Sequence, residues 1–329
     1  MLRISHSSVE SYLRCPRLWL LKHQMRLGAV AEGAVRPRPL QFGTAWTRAM
    51  EAYWTYDGSV PEMLIAAQQV FAAYATSLSW EDRVLGPALL TGYAAMYGDE
   101  LRLYSMPVAE AELTFPVLDP DGKPDPELEF ITIPDTVGYD SQQRTIIVEH
   151  KTTSSNINNL GFWRRYDRSL QLPTQWMTAL DAGRPPHELV LDVVHAKIMH
   201  RGKPTPIERR EFYKRATAGA AVGDPKPGTR LTEESREEFE SRVMADILCN
   251  PGDYYARKSY TYTEQDLLLA RADLWAAGRG MLEALRSGGA TARNNDGCDK
   301  YGSTCEFDAA CWSGADLNDP NLFQIRSRR

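Results

Sequence analysis

Cysteines at both extremes are the feature that most limits how this chain can fold. Cys15 lies near the start, and Cys298, Cys305 and Cys311 crowd the end with the spacing Cys298-x6-Cys305-x5-Cys311. If all four serve one metal clasp, the two ends of a 329-residue chain must meet, and closing so long a loop removes much entropy from the unfolded state. Between these ends runs Ile133-Pro134-Asp135-Thr136-Val137, followed by Val148-Glu149-His150-Lys151-Thr152. That stretch sets two acids and a lysine among strand-forming residues.

The start, Met1-Leu2-Arg3-Ile4-Ser5-His6, has no apolar leader with a small-residue cleavage site. It predicts a cytoplasmic, reducing setting in which structural disulfides are disfavoured. No stretch approaches the roughly 20 apolar residues of a membrane helix, so no membrane partner is expected. A net charge of −5 argues against wholesale coating of nucleic acid but leaves room for a local basic groove. Nothing in the sequence fixes an oligomeric state.

Ser7-Ser8-Val9-Glu10 has capping-box spacing and predicts a helix from Ser7. Pro16 cannot donate an amide and disfavours helix at the preceding residue, so the helix should break at Cys15 and hold it at a corner. An Arg- and Pro-rich loop is expected over 33–39, then helices over 44–56, 61–76 and 86–103 by apolar spacing of three and four. From position 108 the period changes to two, predicting antiparallel strands over 111–118, 128–138 and 144–149 with a loop at 119–126. A helix over 163–182, kinked at Pro173, and an apolar strand over 189–198 would complete a sandwich of sheet and helices. Beyond lie a basic strand region at 201–215, a loop at 219–228, and helices at 232–248 and 263–285. We expect one elaborated α/β domain: a helical region to 105 carrying Cys15, a core over 106–220, and a helical region with the cysteine tail over 221–329.

If the strand carrying Asp135 turns at Asp140-Ser141-Gln142-Gln143 and returns through Glu149, the two acids are symmetric about position 142 and face each other across the ladder. Opposed side chains have Cβ atoms about 4.5–5.5 Å apart, close enough for both carboxylates to share a hard cation. Lys151, two residues on, shares the face of Glu149, while His150 points away and offers its backbone carbonyl. Such a site suits phosphodiester hydrolysis, with Mg²⁺ or Mn²⁺ on the acids and Lys151 orienting water. The other reading is a plain Glu149–Lys151 salt bridge at a strand end, with Asp135 in a polar turn.

Pro134-Asp135 with Glu149-His150-Lys151 resembles the signature of the PD-(D/E)XK nuclease superfamily. With the cysteines, it resembles the RecB-like exonucleases that carry a four-cysteine iron–sulfur cluster, CRISPR-associated and phage-encoded members among them. The likeness covers most of the chain in order. Residues 7–19 look like the family's opening helix with its Cys-Pro, 43–51 like its Gly-x-x-x-His-x-x-x-Glu helix, and Gln171 like the glutamine of its Gln-x-x-x-Tyr motif. Two positions depart: Thr47 replaces the histidine, which weakens that metal contact or routes it through water, and Gln175 replaces the tyrosine.

The resemblance implies a central mixed sheet flanked by helices and a Mg²⁺- or Mn²⁺-dependent DNA exonuclease. It makes Asp135, Glu149, Lys151 and Gln171 the catalytic set, with Asp135, Glu149, the His150 carbonyl and Glu51 around the metal. Glu51 reads equally as a solvated helix carboxylate. The thiols alone leave a zinc site or a cluster open, although the short Cys-x2–4-Cys knuckles usual for zinc are absent. The resemblance implies a [4Fe–4S] cluster on Cys15, Cys298, Cys305 and Cys311, acting as a staple. Cys249 reads as a buried packing residue.

For DNA, Phe162-Trp163-Arg164-Arg165-Tyr166-Asp167-Arg168 interleaves cations with aromatics, suiting phosphate contact plus stacking on unpaired bases. The 201–215 stretch, with Arg209 and Arg210 among its cations, is a second path or a solvated face. Neither specifies base readout, so ends or single strands are expected as substrate. No phosphate-binding Gly-x-x-x-x-Gly-Lys-Ser/Thr loop occurs, so a helicase or recombination partner would be a separate chain. The rival reading is a metal-stabilised DNA-binding scaffold that has lost cleavage.

Overall fold

The computed structural model describes residues 1–30, 37–101, 105–109, 112–217, 219–289, 291–300 and 303–326. In chain order the first part comprises β1 (Leu2–Ser5), α1 (His6–Arg14), α2 (Pro16–Trp19), β2 (Leu27–Ala29), α3 (Arg38–Thr55), α4 (Val60–Tyr74) and α5 (Trp80–Leu101). The middle holds β3 (Ser105–Ala109), β4 (Leu113–Leu118), β5 (Pro124–Thr132), β6 (Thr136–Tyr139), β7 (Thr145–Thr153), α6 (Leu160–Asp167), α7 (Gln171–Asp181) and β8 (Pro186–His195). The last part has α8 (Arg236–Cys249), β9 (Tyr255–Tyr260), α9 (Glu264–Arg286), β10 (Asp299–Lys300), β11 (Ser303–Thr304), α10 (Asp308–Trp312) and β12 (Phe323–Ile325). This is a mixed α/β fold. Residues 33–36, Leu103 and Ala111, included in the expected elements, lie outside the described residues.

The main sheet has the order β3-β6-β7-β8-β9. Its β7–β8 pair is parallel and the rest antiparallel. A parallel pair needs a crossover, which α6 and α7 supply. A second sheet runs β1-β5-β4, and two short pairs, β2–β12 and β10–β11, lie near the chain's ends.

Side-chain alternation along β7 divides the molecule. Ile146 and Val148 face a core shared with α3, α4, α5 and α8, whereas Ile147 faces one shared with α7, α9 and the second sheet. Close packing of α4 on α5 rests on Gly86, where an added Cβ would lie 2.1 Å from the Phe71 ring. Gly86→Ala should therefore destabilise by roughly 1–3 kcal/mol through overpacking, despite alanine's better helix propensity. Thermal denaturation followed by circular dichroism checks this.

Several expected elements differ. The strand expected over 128–138 is two strands in two sheets, β5 and β6, because Pro134 cannot donate to a ladder and the chain changes sheet at 133–135. The helix expected over 163–182 breaks at 168–170 rather than at Pro173. Pro173 lies in the first turn of α7, where backbone amides have no intrahelical partner anyway. The capping box of α1 uses Ser5 and Ser8, not Ser7 and Glu10: Ser5 ends β1 in an extended conformation, and its N–H donates to Ser8 Oγ at 2.8 Å. The basic strand expected over 201–215 is a 3-10 turn at Ile207–Arg209 with isolated bridges, Phe212 to Pro225 and Thr217 to Ala220. Cys15 does sit at a corner, extended at φ −164 between α1 and α2.

Candidate active site

The β6–β7 register pairs Thr136 with Val148, Val137 with Ile147 and Tyr139 with Thr145. Asp140 staples the turn by accepting the N–H groups of Gln142 and Arg144, each at 2.9 Å. One residue beyond the last pair, Asp135 stands beside Glu149, and Asp135 Oδ2 accepts the His150 N–H at 2.8 Å. The Pro134 break thus frees Asp135 from the ladder while the His150 N–H keeps it beside the middle of β7.

Glu149 follows Ile147 on the face toward α7 and is 2% exposed. Its Oε1 accepts the Lys151 ammonium and, at 2.5 Å, the Gln171 Nε2; its Oε2 accepts the Gln175 Nε2 at 2.5 Å. Burial and the neighbouring Glu149 charge push the Asp135 carboxyl up to about 7. Burial alone would lower the Lys151 ammonium, but Glu149 and Asp135 overcome it and raise its proton affinity. Two crowded carboxylates and one lysine that stays charged form a compact site of net charge near −1 when both acids are ionised.

His150 points to the opposite face, as alternation requires. Its Nδ1 lies 3.1 Å from Asp192 Oδ2, yet neither ring nitrogen completes a well-angled hydrogen bond among the described residues. Asp192 is fully buried and also accepts the Tyr93 hydroxyl and, at 3.1 Å, Arg257 Nε. Burial alone would raise its carboxyl, but Arg257 with His150 and Tyr93 holds it down at about 2. Asp192→Asn should cost about 3–5 kcal/mol, because it leaves the Arg257 cation buried without its counter-charge. A denaturant titration measures that loss.

Lys151 and Gln171 open onto a groove of about 830 Å³ whose walls include Arg14, Arg165, Tyr166 and Arg168. In the aromatic and basic segment, Arg164, Arg165 and Arg168 are exposed, whereas Tyr166 is buried and bonded through its hydroxyl to Arg165 at 2.8 Å. Trp163 turns inward, donating Nε1–H to the Ile157 carbonyl at 2.7 Å. Arg209 and Arg210 do not line this groove, and Arg210 Nε is held by the Thr205 carbonyl at 2.8 Å. On α3, Thr47 and Glu51 are half-buried, with Glu51 accepting from Arg48 at 2.8 Å.

Cys15, Cys298, Cys305 and Cys311 line one small cavity together with Leu18 and Phe307. Around it the chain's two ends are tied: Arg14 Nε donates to the Gly297 carbonyl at 2.7 Å, and Asn294 Nδ2 to the Arg14 carbonyl at 2.8 Å. Burial pushes the Cys305 and Cys311 thiols up. Among the described residues, no three His, Cys, Asp or Glu side chains are grouped so as to hold a single metal ion. Cys249, expected to be buried, is exposed at the end of α8, because the helix turns that position away from Ile247 and the core.

Compared with models of known families, the chain matches the PD-(D/E)XK nuclease superfamily over residues 3–312. The chain belongs to the PD-(D/E)XK nuclease superfamily. No curated protein matched the sequence. The geometry brings Asp135, Glu149 and Lys151 together. Gln175 was legible only as a departure from a motif, yet it bonds Glu149 directly; its signal was the four-residue step from Gln171 along a helix. Asp192 was hidden in the apolar run of β8, where an isolated acid among valines was the available clue. Among the described residues, no helix is long and apolar enough to cross a membrane.

Proposed function

We propose that this chain is a Mg²⁺- or Mn²⁺-dependent DNA exonuclease of the RecB-like type, working from ends or on single strands in phage or bacterial DNA recombination or processing. The observation that carries this is the convergence of Asp135, Glu149 and Lys151 at the end of the β6–β7 ladder, beside a groove with arginines on its walls. Two hard carboxylates held side by side, one with its proton affinity raised, suit a divalent cation, which relieves their mutual repulsion. Asp135, Glu149 and the His150 carbonyl would hold it, with Glu51 contributing through water. Bound there, the ion supplies polarisation of the phosphoryl group and a more acidic water.

Lys151 and Gln171 orient water at the groove's edge. Arg164, Arg165 and Arg168 take the strand's phosphates, with Tyr166 bracing Arg165, whereas Arg209 and Arg210 on the 201–215 segment would serve only a strand that leaves this groove. The four thiols around one cavity suit a [4Fe–4S] cluster as a structural staple across the chain's ends.

Linear and covalently closed circular DNA, each single- and double-stranded, should be incubated with the anaerobically purified protein and Mn²⁺. Loss of linear substrates with circles intact supports the reading. Cutting of circles contradicts exonuclease action, and DNA binding with no cleavage of any form supports the scaffold instead.

A further inference from the structure

One helix grips both oxygens of Glu149. Gln171 and Gln175 are four residues apart on α7, so their amides project from one face toward β7. Gln171 reaches Oε1, which it shares with Lys151, and Gln175 reaches Oε2 at 2.5 Å. The two oxygens have different surroundings. Lys151 and Gln171 line the groove, whereas Gln175 is 1% exposed and lies behind Glu149.

The terminal torsion of a glutamate is soft and two-fold, so an untethered carboxylate presents either oxygen. A carboxylate only accepts hydrogen bonds, which fixes the Gln175 amide with its NH2 toward Glu149 and its carbonyl away. That carbonyl, Oε1 of Gln175, is buried with no hydrogen-bond partner among the described residues. An unpaired buried acceptor is destabilising, and a leucine or methionine would fill the space without it. Gln175 therefore carries the cost of one unpaired acceptor, and its NH2 is spent on one buried oxygen of Glu149.

We infer that Gln175 is a positioning residue: by holding Glu149 Oε2 in the core, it makes Oε1 the oxygen presented to a divalent ion at the groove. The inference rests on the reading of Asp135 and Glu149 as a cation site, and the test separates the two.

Mn²⁺ alone, titrated into wild type, Gln175→Met and Gln175→Glu and followed by the electron paramagnetic resonance of the free ion, reads the effect without cleavage. Gln175→Met removes the donor at nearly constant volume and should weaken Mn²⁺ binding about tenfold or more. Gln175→Glu sets a carboxyl against Oε2 and should weaken it further. Melting in EDTA should show Gln175→Met somewhat less stable than wild type, because loss of the unpaired acceptor only partly offsets leaving the buried Glu149 Oε2 without its donor. With DNA, KM should hold while turnover at low Mn²⁺ falls and recovers at saturating Mn²⁺. Equal Mn²⁺ affinity in wild type and a folded variant, or a melting loss without an affinity loss, overturns the inference and leaves the cation site standing. A wild-type chain that binds no Mn²⁺ overturns the cation site itself, and the inference with it.

Discussion

Replacing Glu149 with glutamine should lower DNA cleavage by on the order of 10³-fold, about 4 kcal/mol of transition-state stabilisation, while leaving DNA affinity in EDTA little changed. The substitution keeps the side chain's volume and removes one of the two charges that a divalent ion needs. The phosphate contacts assigned to Arg164, Arg165 and Arg168 lie on α6 and the turn after it, apart from Glu149 on β7, so binding survives. Cleavage rates at saturating Mn²⁺ with anisotropy of labelled DNA separate the two effects. A variant that cleaves at the wild-type rate would remove Glu149 from the chemistry and reduce its bond to Lys151 to an ordinary salt bridge.

The second large effect is on stability. If the proposed cluster is bound, Cys15→Ser should abolish the visible absorption and iron of the anaerobically purified protein and lower its stability by at least roughly 3 kcal/mol, about 4 °C in melting midpoint for a chain of this length. The reason is chain connectivity. Cys15 terminates α1, three other thiols come from the far end, and the proposed cluster would tie segments nearly 300 positions apart. Because α1 also carries Arg14 into the groove, the loss should weaken DNA binding as well. Cys249→Ser serves as the control: that thiol is exposed and outside the cavity, so colour, iron and melting should hold. Equal melting for the two variants would mean that the cysteines merely pack.

The site's centre was legible in the sequence because strand geometry is arithmetic. Once the turn at Asp140 to Gln143 is recognised, the symmetric positions of Asp135 and Glu149 follow, and the two-residue period brings Lys151 to the same face. The corner at Cys15 was legible for a similar reason, since proline's missing amide acts locally. What was not legible depends on partners distant in sequence. Pro134 marks a break within residues 128–138, but that the halves join different sheets shows only in the pairing of β5 with β1 and β4, against that of β6 with β3 and β7. Strand β9, Tyr255-Ala256-Arg257-Lys258-Ser259-Tyr260, carries two cations that obscured it. It forms because Arg257 turns inward to the buried Asp192 while Lys258 turns out to Asp167. Gln175 stood out only as a departure from a motif, because a glutamine on a helix gives no sign of its partner until β7 is set against it.

The account is tested most directly by giving the anaerobically purified protein linear DNA in Mn²⁺ and in EDTA, with Asp135→Asn alongside. It predicts degradation by the wild type in Mn²⁺, none in EDTA and none by the variant. DNA that is bound by the wild type but never cut, with Mn²⁺ or Mg²⁺, would contradict it and leave a scaffold that kept the nuclease fold without the reaction.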